Sequence, residues 1–547
     1  MAAQASDSRV PSRCGRGIES FVFYESPEAR HRPPRCKTND FRGSSEQRQV
    51  EFCALAPPSL KANATVCLTL CKDTHTLADS HMKALHYPSI AEIAESVRTK
   101  KLSPVEIVHE HLERIEEVQP KLNAFVHLDA ERAREQAHRA EDAVRRGAEL
   151  GPLHGVPLTV KSCIDVAGWN CPAGSLLRKD YVAETDAALV ARLRAAGAIL
   201  LGNTNTPEFL MAYETDNLVT GKTSNPWDVS RSAGGSSGEA AAIASGCSVG
   251  GVGSDGGGSI RVPAHFCGIC GLKPTPGRIP STGHFPAGVG AFSWIGVVGP
   301  MARTIADVRA LFEVMAGPDP GDALSAPVPH RAISDAELKG LRVGILENDA
   351  LGKVNEDTSA ALQKAANGLA AQGFVVEPVR LEGLEQAIEL WWFFFGPAIA
   401  HLFQPSVEGR EQNLSRIFRE YLQYAEAPVT LDAVLSACAE RDLLRAKILQ
   451  QMRDVPISLS PVSTTTAFRH GEGTWRPGAA QCYRDTMRFS QWLNLTGFPG
   501  ATVPVSVSAD GLPIGVQVVG RPHEEELVLA VAERIEAARG PWQEPPM

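Results

Sequence analysis

The sequence lacks any surplus of basic charge. Against 54 lysines and arginines stand 63 aspartates and glutamates, a net charge of −9. A surface built to track phosphate backbones shows the opposite balance, so no nucleic-acid partner is expected. Long apolar runs are also missing. The most apolar short stretch, residues 390–403, is broken by Gly396, Pro397 and His401. It falls short of the about 20 residues that a bilayer-spanning helix needs, so no transmembrane segment is expected. The first 80 residues contain no charged start followed by an apolar stretch, so a cytoplasmic enzyme is the simplest expectation. Paired cysteine motifs are scarce too. The twelve cysteines are irregularly spread, and the lone C-x-x-C, Cys267 to Cys270, has no second pair at zinc spacing. Neither a metal nor a cofactor is expected, and the thiols read as buried core groups.

What is present is a large apolar content, 43% of residues, punctuated by 48 glycines and 38 prolines. That combination signals many turns between packed elements. Residues 1–81 differ in style. They hold Cys14, Cys36, Cys53, Cys67 and Cys71, without sustained helical or strand period. They are expected to be either a disordered extension or untranslated, with synthesis beginning at Met82. Residues 82–547 are expected to form one catalytic domain.

From Ile90 the apolar positions Ile90, Ile93, Ala94 and Val97 recur at helical spacing. A second helix opens at Ser103 as N-cap with Pro104 in the first turn. After that, strands and helices alternate. Strands are predicted at 155–160, 198–201, 342–346, 374–379, 455–459, 501–507 and 515–519. Helices are predicted at 187–196, 304–315, 358–371 and 524–538. This pattern predicts an α/β fold: a large mixed, mostly parallel twisted sheet covered by helices on both faces. Residues 385–452 read as a helical insertion carrying Trp391, Trp392, Phe393, Phe394 and Phe395. Core packing is the simpler reading of that cluster, and an apolar substrate wall is the sharper one.

Two glycine–serine segments dominate the middle of the chain, residues 233–239 and 253–261. Glycines before a serine let a backbone approach a ligand closely. Successive N–H groups in such a loop can hold a developing oxyanion, each donor contributing about 2.7–4 kcal/mol in the transition state. Neither segment ends in the Gly-Lys-Ser or Gly-Lys-Thr of a phosphate loop, and a dinucleotide fingerprint fits only when forced. Gly234-Gly-Ser236-Ser-Gly238 matches the G-x-S-x-G nucleophile elbow of α/β-hydrolase esterases. That reading needs a downstream histidine, however, and His284, His470 and His523 stand in no distinctive setting. It also leaves the second segment unexplained.

Taken together, Gly155-Val-Pro-Leu-Thr-Val-Lys161, Gly234-Gly-Ser236-Ser-Gly238 and Gly257-Gly-Ser259-Ile-Arg261 resemble the amidase signature family. The resemblance continues through Val262-Pro-Ala-His-Phe-Cys-Gly-Ile-Cys-Gly-Leu-Lys-Pro274. It includes Asn203-Thr-Asn-Thr-Pro-Glu208, Asn225-Pro-Trp227 and Pro513-Ile-Gly-Val-Gln-Val-Val-Gly520, and covers about Ile90 to Ala538. It implies a Ser-Ser-Lys triad. Ser259 would be the acylated nucleophile, Ser236, held by a cis peptide bond, the proton relay, and Lys161 the base. The N–H groups of Gly256, Gly257, Gly258 and Ser259 would form the oxyanion hole. Ser237, Asp255 and Arg261 would support the loops. A lysine ordinarily near pKa 10.4 becomes a base at neutral pH only when burial disfavours its charge. The apolar strand before Lys161 is suited to that.

Two departures from the family pattern stand out. Glu239 follows Gly238 where a second glycine is usual, which shortens the Ser236–Ser259 interval to 23 positions and bears on where the next helix starts. Ser162 replaces a common acidic residue. By resemblance, Leu210, Met211 and Tyr213 line the acyl pocket. The expected activity is hydrolysis of linear amide C–N bonds, with apolar or aryl amides, carbamates or esters as small-molecule substrates. Aryl-acylamidases, fatty-amide hydrolases and urethanase-like enzymes are the nearest branches. The glutaminase subunit of a tRNA-dependent amidotransferase is the main alternative, and a homodimer is the assembly considered.

Overall fold

The computed structural model describes residues 87–346 and 351–547. The readings made for residues 1–81 and the start at Met82 lie outside the described residues. Residues 85–547 group as one compact unit. Its eleven-stranded sheet comprises β1 (Phe125–Leu128), β2 (Pro157–Lys161), β3 (Ile199–Thr204), β4 (Gly250–Asp255), β5 (Cys270–Lys273), β6 (Val297–Ala302), β7 (Arg342–Leu346), β8 (Val375–Val379), β9 (Ile457–Pro461), β10 (Gly500–Val507) and β11 (Pro513–Val519). Their order across the sheet is β1-β3-β2-β4-β6-β5-β10-β11-β9-β7-β8. Parallel pairing occurs in two flanking groups, β3–β2–β4 and β9–β7–β8. Antiparallel pairs join them through the centre. The sheet is therefore mixed, in an α/β arrangement.

The opening helices follow the sequence signals. Helix α1 (Ile90–Arg98) buries Ile90, Ile93, Ala94 and Val97, and α2 (Pro104–Leu122) begins behind Ser103 with a capping box to Glu106. Helix α3 (Ala130–Arg145) and β1 carried no clear sequence signal; α3 turns only small residues and Val144 inward. Helix α4 (Ala188–Ala195) leads through Gly197, at φ +92°, into β3. The two glycine–serine segments precede α5 (Ser237–Ala244) and α6 (Arg261–Cys267). Helices α7 (Ile305–Met315) and α8 (Glu356–Ala370) follow where expected.

The insertion is mainly helical: α9 (Leu384–Phe393), a π turn at Phe394–Ala398, α10 (Ile399–Val407), α11 (Arg416–Leu422) and α12 (Leu431–Gln451), with irregular turns between α10, α11 and α12. Pro397 lies inside the π turn, where its missing N–H and ring disturb the regular hydrogen-bond ladder. Helix α13 (Arg488–Thr496), not anticipated, and α14 (Glu525–Arg539) complete the chain. Among the described residues, no helix is long and apolar enough to cross a membrane.

Candidate active site

The site lies where β2, β4 and the two glycine–serine segments meet. Strand β2 pairs with β4 in parallel, Val160 opposite Val252. That register brings Lys161, the last residue of β2, beside the end of β4. Both the lysine and Ser236 have no accessible surface, and Ser259 retains 7%. Lys161 Nζ stands 3.0 Å from Ser236 Oγ and 3.0 Å from Ser254 Oγ. Burial drives the lysine pKa down, while Cys163, Asp255 and Glu239 pull it partly back. Desolvation dominates, which favours the uncharged amine.

Ser236 occupies the N-cap position of α5, but its hydroxyl does not cap the helix. It faces Lys161 and the Ser254 carbonyl, 3.2 Å away, instead. Its backbone N–H donates to the Ser259 carbonyl at 3.0 Å. The cis peptide implied for Ser236 is not found: among the described residues the cis bond is Phe285–Pro286, so Gly235–Ser236 is trans. In this geometry the Ser236 N–H already points at Ser259, and that bond holds the two serine segments together. Gly235 is required here, because a Cβ at this position would lie 2.7 Å from Ser259 Cβ and collide with Ser259 Oγ.

The loop before Ser259 is pinned from three sides. Asp255 accepts from Gly258 N–H at 2.7 Å, Ile260 N–H at 3.1 Å and the Arg261 guanidinium at 3.0 and 3.1 Å. Burial alone would raise the Asp255 pKa, but Arg261, Lys273 and Asn494 outweigh it and hold the carboxylate far below its usual range. Arg261 is itself held by Gln517, Ser490 and Asn494. Trp391 Nε1 donates to the Gly256 carbonyl at 2.9 Å, and Tyr213 Oη to the Gly257 carbonyl at 2.7 Å. Each carbonyl bond turns the N–H of the same peptide the opposite way. Gly258 N–H is spent on Asp255, which corrects its assignment as a free oxyanion donor. Among the described residues, the N–H groups of Gly256, Gly257 and Ser259 have no hydrogen-bond acceptor.

The two departures in the sequence have structural consequences. Helix α5 starts at Ser237 despite the shortened segment, and Ser237 Oγ bonds Thr215 Oγ1. Glu239 is buried, accepting from Thr204 Oγ1 at 2.7 Å and from Thr159 Oγ1. Burial raises its pKa to about 7, opposed by those hydroxyls and by Lys161. Ser162 Oγ has no partner among the described residues.

A pocket opens at Ser259. Its wall includes Leu210, Met211, Tyr213, Phe292, Phe395 and Trp475. The aromatic cluster serves both core and wall. Trp391, Trp392, Phe394 and Phe395 are all buried, and Phe395, stacked on Trp391 with ring centroids 4.5 Å apart, also faces the pocket. His284, which the sequence left without a distinctive setting, also lines this pocket. Among the described residues no histidine bonds Ser236, as an esterase elbow would require; His470 instead pairs with Glu214 at 2.8 Å.

Residues 106–529 match the family model described as Amidase. The chain belongs to the amidase signature family. The acylamidase of Rhodococcus erythropolis is 35% identical over 471 residues, covering 84% of this chain and 96% of that protein. A glutamyl-tRNA(Gln) amidotransferase subunit from Carboxydothermus hydrogenoformans is 32% identical over 480 residues, covering 83% and 97%. A solved bacterial aryl acylamidase of the family superposes with a TM-score of 0.73 at 28% identity, covering 83% of this chain and 97% of that one. As a member of this amidase family the chain is a hydrolase of amide C–N bonds.

Proposed function

We propose that this amidase cleaves apolar acyl or aryl amides through a seryl acyl-enzyme, with Ser259 as nucleophile, Ser236 as relay and Lys161 as base. The observation that carries the reading is the 3.0 Å contact between the buried Lys161 amine and Ser236 Oγ, with Ser236 tied to Ser259 through the backbone. A serine hydroxyl attacks a carbonyl only when a base takes its proton. The Ser259 proton passes to Ser236 as the Ser236 proton passes to Lys161, while Ser259 Oγ bonds the carbonyl carbon. The oxyanion is received by N–H groups of Gly256, Gly257 and Ser259, which the Trp391, Tyr213 and Asp255 bonds hold in advance. The ammonium then returns its proton through Ser236 to the leaving nitrogen as the C–N bond breaks. Water enters by the same route and releases the acid.

The pocket wall argues for the substrate class. Leu210, Met211, Phe395 and Trp475 offer apolar surface, and the Tyr213 hydroxyl is already committed to Gly257. A glutamine site would instead need charged or polar wall groups for the α-amino and α-carboxylate ends of the substrate. Carbamates and esters of the same shape are secondary substrates. Initial rates on anilides, aliphatic amides, carbamates and free glutamine test this reading. Anilides or long-chain amides should lead, with none turned over by Ser259→Ala. Preferential glutamine turnover would overturn the substrate assignment.

A further inference from the structure

The Lys161 amine has two hydroxyl neighbours, and the reaction as proposed uses one. A neutral amine carries one lone pair and two N–H bonds. To accept the Ser236 proton, its lone pair must face Ser236, so an N–H must face Ser254. Nothing in the pair itself enforces that choice, because a hydroxyl can donate as readily as accept. The choice is enforced further away. Ser254 Oγ lies 3.7 Å from Cys163 Sγ, and Cys163 Sγ lies 3.6 Å from His284 Nε2. His284 Nδ1 in turn lies 2.9 Å from the Pro286 carbonyl.

Polarity propagates backwards from that carbonyl. A carbonyl only accepts, so Nδ1 carries the ring proton. Burial keeps the imidazole neutral, lowering its pKa to about 4, so Nε2 presents a bare lone pair. Cys163, whose buried thiol is pushed up in pKa, donates its S–H to Nε2. Its sulfur then accepts from the Ser254 hydroxyl, whose oxygen accepts from Lys161 N–H. We propose that Ser254, Cys163 and His284 form an oriented hydrogen-bond chain, anchored on the Pro286 carbonyl, that turns the Lys161 lone pair toward Ser236. The proposal rests on the reading of Lys161 as the base.

The backbone brings the members of this chain together. Cys163 follows β2 two residues after Lys161, and Ser254 stands on the adjacent β4. The loop carrying His284 is laid against Cys163 by a bond from Phe285 N–H to the Cys163 carbonyl at 2.8 Å and by a bridge between Ile164 and His284. The other ionisable groups acting on Lys161, Asp255 and Glu239, lie outside the chain. No proton needs to move along these residues; they are positioning residues.

The test compares Cys163→Ala, which breaks the chain, with Cys163→Ser, which keeps a donor and an acceptor. Steady-state pH profiles on 4-nitroacetanilide and 4-nitrophenyl acetate provide the readout. Cys163→Ala is expected to lose about tenfold or more in anilide kcat with KM unchanged, through misplacement of a catalytic group. The acidic limb of its profile should shift, and Cys163→Ser should recover most of the loss. An unchanged anilide kcat and pH profile in Cys163→Ala would overturn the chain, as would a Cys163→Ser variant no better than alanine. Should Cys163→Ala fail to fold, the wild type minus Cys163→Ser infrared difference decides. An S–H stretch shifted down by bonding to nitrogen supports the chain, and an unshifted one overturns it. Lys161→Ala separates the two levels: retained amide turnover there would refute the base itself, not merely its orientation.

Discussion

The backbone N–H of Ser236 donates to the carbonyl of Ser259 at 3.0 Å, so the proposed relay and the proposed nucleophile are joined by main chain. Two segments separated by 23 positions thereby move as one unit, with Gly235 at their closest approach. A methyl group at 235 meets Ser259 Cβ at 2.7 Å, well inside contact distance. Gly235→Ala is therefore expected to cut kcat by about 100-fold through displacement of Ser259, the proposed nucleophile. It should cost about 1–3 kcal/mol of stability from overpacking, read from denaturant melts.

The lysine carries a linkage signature. Its folded pKa lies below the unfolded value near 10.4, so the unfolded chain binds the extra proton between the two. Stability contributed by the neutral amine is therefore present above the unfolded pKa and lost as pH falls toward the folded one. Lys161→Met carries no such penalty. Its stability relative to wild type should decline steadily as pH rises toward 10, by chemical denaturation across that range. A pH-independent difference would mean that the amine is charged in the folded enzyme.

Amide and ester turnover should separate at the same residue. An amine leaving group needs the returned proton, whereas an aryloxide does not. Lys161→Ala should therefore lose more activity on an anilide than on the matched ester, by about tenfold or more. Equal losses on the two substrates, measured as kcat/KM, would contradict the double role.

Asp255 is a structural brace with a predictable cost. Its carboxylate is fully buried against Arg261 and Asn494 and holds Gly258 in place. Asp255→Ala leaves the guanidinium without its charge partner and should cost about 3–5 kcal/mol. Oxyanion stabilisation should fall with it, so kcat drops even under conditions where the variant remains folded. Calorimetry together with initial rates checks both.

Trp391 offers a milder probe of the same loop. Trp391→Phe keeps most of the packing against Phe395 but removes the bond to the Gly256 carbonyl. The peptide that orients Gly257 N–H is then less constrained. An expected loss of about tenfold in kcat with little change in KM separates loop orientation from pocket shape.

Much of this site is legible in the sequence. The helix at 90–98 follows from apolar spacing and that at 104–122 from apolar spacing and the Ser103 cap, and the three motifs bring Lys161, Ser236 and Ser259 into view. Strand β4 is not legible, because Gly250, Gly251 and Gly253 argue against a strand by propensity. Their reason is tertiary. A Cβ at 251 would run into Glu239 and the Thr159 carbonyl, and one at 253 would sit 2.7 Å from Met301 Sδ and 3.0 Å from Ser236 Oγ. Trp391 and Asn494 reach the loop from 135 and 239 positions away, and His284 reaches Cys163 across 121. Contacts of that range leave no local pattern in the chain. The commitment of Gly258 N–H to Asp255 is hidden for a different reason: the motif shows which amides are near, but not which way each peptide turns.

Acylation of Ser259, and of no other hydroxyl, is the point on which the mechanism turns. Intact mass spectrometry after treatment with a serine-directed fluorophosphonate, followed by peptide mapping, measures this directly. The mechanism predicts one adduct per chain, located at Ser259, absent from Ser259→Ala and formed far more slowly in Lys161→Ala. An adduct on Ser236, or undiminished labelling of Ser259→Ala, would contradict it.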